Sequence, residues 1–107
     1  MFDEWIGEVK KSADPRELGM ILVHNGVVRA TAKTGSAVRG MLLSYDRDKL
    51  AEAITAAKAR EGVVEVRVWL NEGELNVCDY IMKLLVAGRF RSDVLPVLQD
   101  LLTFIKT

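Results

Sequence analysis

The C-terminal third of the chain, Gly73–Lys106, has the sequence GELNVCDYIMKLLVAGRFRSDVLPVLQDLLTFIK. Within it, Leu75–Ala87 is rich in apolar and β-branched residues and predicts a long strand. Strands usually contain about three to ten residues, so we expect a bend or a bulge near Cys78. The other elements of the fold are expected to pack around this strand.

A cationic corner and a helix follow the strand. The tetrapeptide Gly88-Arg89-Phe90-Arg91 ends the apolar pattern. Ser92 or Asp93 can cap the next helix, and Pro96 falls in its first turn or just after it, where a missing N–H is tolerated. Apolar residues then recur at helical spacing as far as Lys106: Leu95, Leu98, Leu101, Leu102 and Ile105.

The segment before Gly73 predicts the partner of the long strand. Within Val64–Leu70, apolar residues alternate with more polar or aromatic ones, which is the period of a half-buried strand. Asn71-Glu72-Gly73 has the composition of a turn. The two strands are therefore predicted to form an antiparallel hairpin.

The N-terminal part of the chain predicts two helices and two further strands. Apolar residues at spacings of three and four indicate helices within Phe2–Val9 and Leu50–Ala57. Gly19–Val28 is rich in β-branched residues and predicts a strand, with a bulge or kink at Asn25-Gly26. Val38–Tyr45 is also better explained as a strand than as a helix.

The predicted order, α-β-β-α-β-β-α, defines an α+β fold in which three helices pack against a mostly antiparallel sheet. With 107 residues and no linker or repeat, residues 1–107 are expected to form one domain. Fifteen basic and fifteen acidic residues leave no net charge, so we expect neither nucleic acid nor a membrane as a partner. The single cysteine, Cys78, and apolar runs too short to span a bilayer favour a cytoplasmic protein.

The sequence contains no arrangement typical of a catalytic nucleophile or a metal centre. Its single histidine, His24, lies within an apolar strand, where a buried, hydrogen-bonded imidazole is about three times as likely as a catalytic one. One cysteine and one histidine do not make a Cys/His metal cluster in one chain, so no metal site is predicted.

Basic residues at predicted strand ends are the stronger candidates for a binding site. Arg29 and Arg39 flank the loop between the first two strands, while Arg89 and Arg91 follow the last strand. Guanidinium groups can hold a phosphate or a carboxylate through two hydrogen bonds, although the same arginines also suit a solvated rim. We expect Arg29 and Arg91 to lie on one rim, within reach of a common anion.

Several motifs occur in the order and spacing of one family. They are Asp14-Pro15 followed by Gly19, Gly26-Val27-Val28-Arg29, Gly73-Glu74-Leu75, Cys78-Asp79, Phe90-Arg91 at the position of a His-Arg pair, and Lys106 near the end of the closing helix. On these motifs the chain resembles the MoaE family, the large subunit of molybdopterin synthase, over nearly its whole length.

The resemblance implies an α/β-hammerhead fold, a homodimer, and a MoaD-like small subunit with a C-terminal Gly-Gly. It also implies that sulfur passes from the thiocarboxylated small subunit to cyclic pyranopterin monophosphate, without a permanently bound cofactor or a metal. In this chain Lys106 is then the candidate catalytic residue, as acid/base or as the site of a covalent adduct. Arg29, Arg39 and Arg91 are the candidate substrate-binding residues.

Departures from the family pattern leave a second function open. Phe90 replaces the histidine of the His-Arg pair, Leu43-Ser44-Tyr45-Asp46 stands where the family has Tyr-Glu-Ala-Tyr, and Leu70-Asn71 replaces a second His-Arg pair. The family also has a Pro-x-Trp-Lys segment with a second lysine beyond the position of Lys106, whereas the sequence here ends at Thr107. These differences favour a non-catalytic, dimeric MoaE-like binding module, while the retained Arg29, Arg91 and Lys106 favour the enzyme. A small structural α+β domain whose arginines form only a solvated rim is a third hypothesis, from outside the family.

Overall fold

The computed structural model describes residues 1–32, 35–37 and 39–106, apart from the side chain of residue 106. This part of the chain forms three helices and five strands. In chain order they are α1 (Phe2–Ser12), β1 (Met20–Val27), β2 (Gly40–Leu43), α2 (Arg47–Lys58), β3 (Val63–Leu70), β4 (Gly73–Asn76), β5 (Tyr80–Gly88) and α3 (Arg91–Lys106). The predicted α+β class and antiparallel pairing are confirmed, with one strand more than predicted.

The main sheet has the strand order β1-β5-β3, and both outer strands run antiparallel to β5. Residues Leu84 to Ala87 of β5 are fully buried. This part of the central strand is covered on both faces, so each of its successive side chains must be apolar. The β3–β5 pair is the antiparallel pair predicted from the sequence, but residues 71–79, which include β4, connect its strands in place of the predicted turn Asn71-Glu72-Gly73.

The predicted long strand is interrupted at the turn Val77–Cys78, so its first two residues, Leu75 and Asn76, join Gly73 and Glu74 in β4, which pairs with β2 in a second sheet. Cys78 has a φ of 75°, in the left-handed region that non-glycine residues rarely adopt. The Asp79 carboxylate holds the turn by accepting a hydrogen bond from the Asn76 N–H, at 2.8 Å. The bend expected near Cys78 is therefore present, as a complete change of sheet.

The first strand carries the irregularity that its Asn25-Gly26 dipeptide predicts. The register of β1 against β5 shifts between Gly26 and Val27, which is the mark of a β-bulge. Beyond the bulge, two backbone hydrogen bonds tie Val28 to the turn before β5, one from its N–H to Asp79 and one from the Cys78 N–H to its carbonyl. The chain therefore leaves the sheet beside that turn.

Helices α2 and α3 cover one face of the main sheet and α1 packs on the other. The larger core lies between the sheet and helices α2 and α3, and it includes Leu84, Val86, Val94, Val97 and Leu101. On the opposite face, Val9 of α1 packs against Leu85 and Ala87. Successive residues of β5 point to opposite faces, so one strand supplies both cores.

The helix boundaries follow local hydrogen bonding. The Asp46 carboxylate caps α2 by accepting the N–H groups of Asp48 and Lys49, at 3.0 and 3.1 Å. In α3 the Phe90 carbonyl accepts the N–H of Asp93, so the helix begins at Arg91 rather than after a cap at Ser92 or Asp93. The residue before the helix is therefore Phe90, two or three residues earlier than the predicted cap.

Candidate functional site

The main sheet has two ends with different chemistry. At one end, which we call the clasp end, β1 and β3 begin, β5 finishes at Gly88 and α3 starts. At the other end, which we call the open end, β1 and β3 finish and β5 begins at Tyr80. Phe104 and Ile105, in the last turn of α3, line a cavity with Leu70, the last residue of β3, so α3 runs from the clasp end to the open end.

At the clasp end, Arg89 is surrounded by acidic groups. Its guanidinium lies 3.4 Å from the Asp93 carboxylate, 3.6 Å from Glu61 and 4.0 Å from Glu17. The Arg89 Nε and the Asp93 Oδ2 atoms are excluded from solvent and have no hydrogen-bond partner, so they meet as an ion pair. Because three carboxylates already surround it, the Arg89 guanidinium is a poor candidate for binding an anionic ligand.

Arg91, two residues further on, is exposed and has no acidic partner in the part of the chain that the structure describes. Phe90 beside it is 64% exposed. A solvated guanidinium with no carboxylate of its own can bind an anion with little loss of other contacts. Arg91 therefore keeps the binding capacity that Arg89 has lost.

Arg29 and Arg39 belong to the open end. Arg29 follows the bulged end of β1, and its Nε donates a hydrogen bond to the Thr31 carbonyl at 2.7 Å. Thr31 and Ala37 pair as an isolated antiparallel bridge, and Arg39 lies two residues beyond Ala37. Both arginines are exposed, and no described carboxylate pairs with either. Like charges on the two arms of one bridge suit an anion.

The expectation that Arg29 and Arg91 share a rim of one chain was wrong. Because β1 is antiparallel to β5, Val27 pairs with Tyr80 while Met20 pairs with Gly88. Eight residue steps along β5 separate the two ends, which corresponds to about 27 Å. The sequence showed that both arginines follow strands, but not that those strands end on opposite sides of the sheet.

Lys106 is the last residue of α3, and its side chain lies outside the described part of the chain. The two residues before it, Phe104 and Ile105, line a cavity of about 360 Å³. The other lining residues come from the connection into α2, from its first turn and from the end of β3: Leu43, Ser44, Tyr45, Asp46, Lys49, Leu50 and Leu70. This space, which we call the α3 cavity, is the concave surface next to the predicted catalytic residue.

Sequence reasoning missed the α3 cavity. Asp46 caps α2 and Lys49 lies in its first turn, and both residues also line the cavity. The signal that could have shown it is the segment Leu43-Ser44-Tyr45-Asp46, which was recognised as a motif position without a geometric role. Its proximity to α3 depends on long-range packing that spacing does not reveal.

A second cavity, of about 230 Å³, lies between α2 and α3. Its walls are mostly apolar and include Ala53, Ala57 and Val97. Its charged lining residues, Arg60 and Asp100, bind each other at 2.6 Å. Since they neutralise each other, this groove offers less polar recognition than the α3 cavity.

His24 is half-buried on the edge strand β1 and has no hydrogen-bond partner within the described ranges. The expectation of a buried, hydrogen-bonded imidazole was therefore wrong, because an edge strand with a nearby bulge leaves the side chain partly in solvent. Cys78 is exposed. Among the described residues, no group of three or more His, Cys, Asp or Glu side chains is arranged to hold a metal ion.

Away from the candidate residues, Glu65 and Arg67 of β3 form ion pairs across the elements. Partial burial alone would raise the pKa of the Glu65 carboxyl, but hydrogen bonds from Lys58 and the Val66 N–H and the nearby positive charges outweigh it, so the pKa is lowered. A hydrogen bond to Glu8 of α1 is the main cause that raises the pKa of Arg67.

No described helix is long and apolar enough to cross a membrane.

Comparison with known proteins identifies the class of protein to which this fold and site belong. The family described as "MoaE protein" matches residues 3–107, and the chain belongs to that family. No functionally curated protein matches the chain significantly.

Solved structures of the same family share the fold. A molybdopterin cofactor biosynthesis protein E from Burkholderia multivorans superposes with a TM-score of 0.76 at 20% identity, over all of this chain and 74% of its own. The MoaE protein from Burkholderia ambifaria gives 0.75 at 18% identity, over 100% and 70% of the two chains. Molybdopterin synthase from Staphylococcus aureus gives 0.73 at 19% identity, over 94% and 75%. These similarities confirm the hammerhead-like α+β fold predicted for the chain.

Proposed function

We propose that this protein acts in molybdopterin biosynthesis, as the subunit that transfers sulfur from a thiocarboxylated MoaD-type partner to cyclic pyranopterin monophosphate. The observation that carries this proposal is the family match over residues 3–107. One of the structural neighbours, from Helicobacter pylori, is a complex of subunits 1 and 2 of molybdopterin-converting factor (16% identity, TM-score 0.71, 95% of this chain and 66% of that one). That complex supports a small protein partner for this chain as well.

The proposed chemistry needs cations more than it needs a nucleophile on the protein. The partner's thiocarboxylate sulfur attacks the pterin side chain, and water then cleaves the acyl–sulfur bond and leaves the partner with an ordinary carboxylate. Arg29, Arg39 and Arg91 hold the substrate phosphate and the anionic tail. Lys106 supplies a proton to the oxygen that leaves the substrate, or forms a covalent adduct. No cofactor is bound permanently in this scheme.

A homodimer is part of the proposal, because one chain cannot bring all its cations to one anion. Arg29 and Arg91 follow opposite ends of a sheet whose central strand, β5, is about 27 Å long, too far for both to bind one phosphate. A second chain that places its clasp end against the first chain's open end would bring one of each together. The exposed apolar residues Val23, Val27 and Tyr80 at the outer strand and open end support such self-association.

A non-catalytic binding module is the alternative that one observation favours. Phe90 occupies the family's histidine position and is 64% exposed, so it neither transfers protons nor contributes to the core. A protein that kept the dimer and the arginines would still bind the partner's tail or a pterin phosphate. In both cases we expect residues 1–107 to act as a single cytoplasmic domain.

Sulfur transfer can be measured directly with the purified protein. Mixed with a thiocarboxylated MoaD-type partner and cyclic pyranopterin monophosphate, it should form the dithiolene product and consume two partner thiocarboxylates per product. If the partner binds but no product forms above background, the enzyme proposal is wrong and the binding module remains. If neither the partner nor cyclic pyranopterin monophosphate binds, both proposals fail.

A further inference from the structure

His24 is a titratable side chain without a role in the sulfur-transfer scheme described above. It is the single histidine of the sequence, it is half-buried, and it has no hydrogen-bond partner among the described residues. Histidine is the side chain most often used for acid–base catalysis near neutral pH, because its neutral imidazole has one nitrogen that accepts a proton. The imidazole of His24 is therefore available to a ligand or to water.

The alternation of side chains along β1 places His24 on the face of the sheet that α3 covers. Met20 and Leu22, on the same face, pack against the larger core between the sheet and helices α2 and α3. The Nε2 atom of His24 lies 3.8 Å from the point that a Cβ of Gly26 would occupy. Since Gly26 has no side chain, nothing at that position separates the imidazole from the open end.

The imidazole lies at the level of the last turn of α3. Gly26 pairs with Met82 of β5, which in turn pairs with Leu70 of β3, so the three residues form one row across the sheet. Neighbouring strands are about 4.8 Å apart, so this row spans about 10 Å. Leu70 lines the α3 cavity together with the last turn of α3. His24 therefore lies at the β1 end of the row whose β3 end lines the α3 cavity.

The position of Lys106 belongs to the side of α3 that faces β1. Helix α3 packs on β5 and β1, whereas α2 packs on β3. Phe104 is on the α2 side of the helix, because it lines the groove between α2 and α3. Two residues further on, an α-helix has turned by about 200°, so position 106 lies on the opposite side of the helix axis. His24 and the position of Lys106 thus share the β1 side of the open end.

The cations of the proposed site do not supply a base. A guanidinium stays protonated, and an ammonium has no lone pair that can accept a proton. Hydrolysis of the acyl–sulfur bond is accelerated by a group that takes a proton from the attacking water. Phe90, at the position of the family's histidine, has no such group.

We propose that His24 is the general base of this hydrolytic step, an inference that rests on the proposed function. Its neutral imidazole accepts a proton from the water molecule whose oxygen bonds to the acyl carbon. The acyl–sulfur bond then breaks, its electron pair stays on the sulfur that is bound to the pterin, and the partner leaves as a carboxylic acid, which ionises. The imidazolium gives its proton to the thiolate, which returns His24 to the neutral form.

The experiment follows the two steps separately by intact mass spectrometry of the partner. Attack of the thiocarboxylate on cyclic pyranopterin monophosphate joins the partner to the pterin through a thioester, and hydrolysis releases the partner with an ordinary carboxylate. The unmodified protein is compared with His24→Gln and with two further variants. Asn25→Thr changes the next residue, which is exposed on the opposite face of β1. Asp46→Asn removes a carboxylate of the α3 cavity, the competing base, and keeps a good helix cap.

His24→Gln should form the thioester as fast as the unmodified protein but hydrolyse it about a hundredfold to ten-thousandfold more slowly, so that the joined species accumulates. His24→Ala should show the same defect, and added imidazole should restore part of the hydrolysis rate. Asn25→Thr should behave as the unmodified protein does, and Asp46→Asn should not accumulate the thioester.

Equal hydrolysis rates for His24→Gln and the unmodified protein would overturn the proposal and leave the sulfur transfer itself intact. Accumulation of the thioester in Asp46→Asn but not in His24→Gln would also overturn it, since the base would then be the carboxylate. An unmodified protein that forms neither thioester nor product would instead contradict the proposed function, and the role of His24 with it.

Discussion

The clasp end and the open end belong to one three-stranded sheet but differ in how their polar groups are satisfied. At the clasp end, Arg89 meets three carboxylates and the backbone packs too closely for side chains at its glycines. At the open end, a bulge and a change of sheet leave Arg29 and Arg39 exposed without acidic partners among the described residues. Among the described residues, Arg89 at the clasp end is therefore paired within the chain, whereas Arg91 beside it and Arg29 and Arg39 at the open end have no acidic partner.

The largest effect is expected from Gly88→Ala at the clasp end. A Cβ at Gly88 would lie 2.3 Å from the Gly62 carbonyl oxygen and 2.6 Å from a methyl group of Val94. Backbone and core must shift, so the free energy of unfolding should fall by about 3 kcal/mol or more. Chemical denaturation measures this change.

Gly7→Ala is the matched control for that substitution. Gly7 lies within α1, and a Cβ there meets no atom within 4 Å. Alanine is the better helix former, so this variant should be more stable by about 0.5–1 kcal/mol. If the two alanine variants had similar stability, the close packing described for the clasp end would be wrong.

Arg29→Gln tests the open end through activity. Loss of a charged hydrogen bond to the substrate should lower the rate of sulfur transfer by about tenfold to a hundredfold. Stability should change by less than about 0.5 kcal/mol, because the side chain is exposed. Arg16→Gln, at another exposed arginine, should leave activity unchanged, and an equal loss in both variants would contradict a specific role for Arg29.

Arg89→Met and Arg91→Met separate structure from function at the clasp end. Removing Arg89 leaves the solvent-excluded oxygen of Asp93 without its ion-pair partner, which should cost about 1–3 kcal/mol of stability. Arg91→Met should change stability by less than about 0.5 kcal/mol, since Arg91 is exposed. Thermal unfolding compares the melting temperatures of the two variants. A lower melting temperature for Arg91→Met than for Arg89→Met would contradict this assignment.

The smallest effect concerns acid stability through Glu65. Its pKa is lowered in the folded protein, so its stabilising contribution is complete above the ordinary glutamate pKa, about 4.3, and is lost as pH falls through the lower folded value. Glu65→Gln should therefore reduce unfolding free energy by less than about 1 kcal/mol at pH 7.

The pH dependence of that variant provides the check. The difference between Glu65→Gln and the unmodified protein should shrink as the pH of the denaturation experiment is lowered below about 4. Glu52→Gln, at an exposed residue of α2, serves as the control. A difference that grows at low pH would contradict the lowered pKa.

Much of the fold followed from local sequence. The period-two pattern of β3, the apolar run of β5 and the bulge at Asn25-Gly26 each express a short-range rule, and each was found. The transfer of Gly73–Asn76 to a second sheet was not predicted, because it depends on β2 as a distant partner. A bend at Cys78 was foreseeable, but its direction was not.

The candidate site followed from sequence only as a set of residue types. Arg29, Arg39 and Arg91 were recognisable as exposed cations at strand ends, and Lys106 as the end of the last helix. Their distribution over two ends of the sheet depends on strand order and register. The partnership of Asp46 and Lys49 with Phe104 depends on how α3 packs, which residue spacing does not encode.

The central claim, that two chains complete one site, is tested most directly by mixing two inactive variants. Arg29→Gln and Arg91→Gln are unfolded and refolded together, and sulfur transfer is compared with that of each variant alone. Half of randomly assembled dimers are mixed and have one intact site, so about a quarter of the unmodified activity should return. Activity no higher than that of the separate variants, in dimers shown to be mixed, would contradict the account.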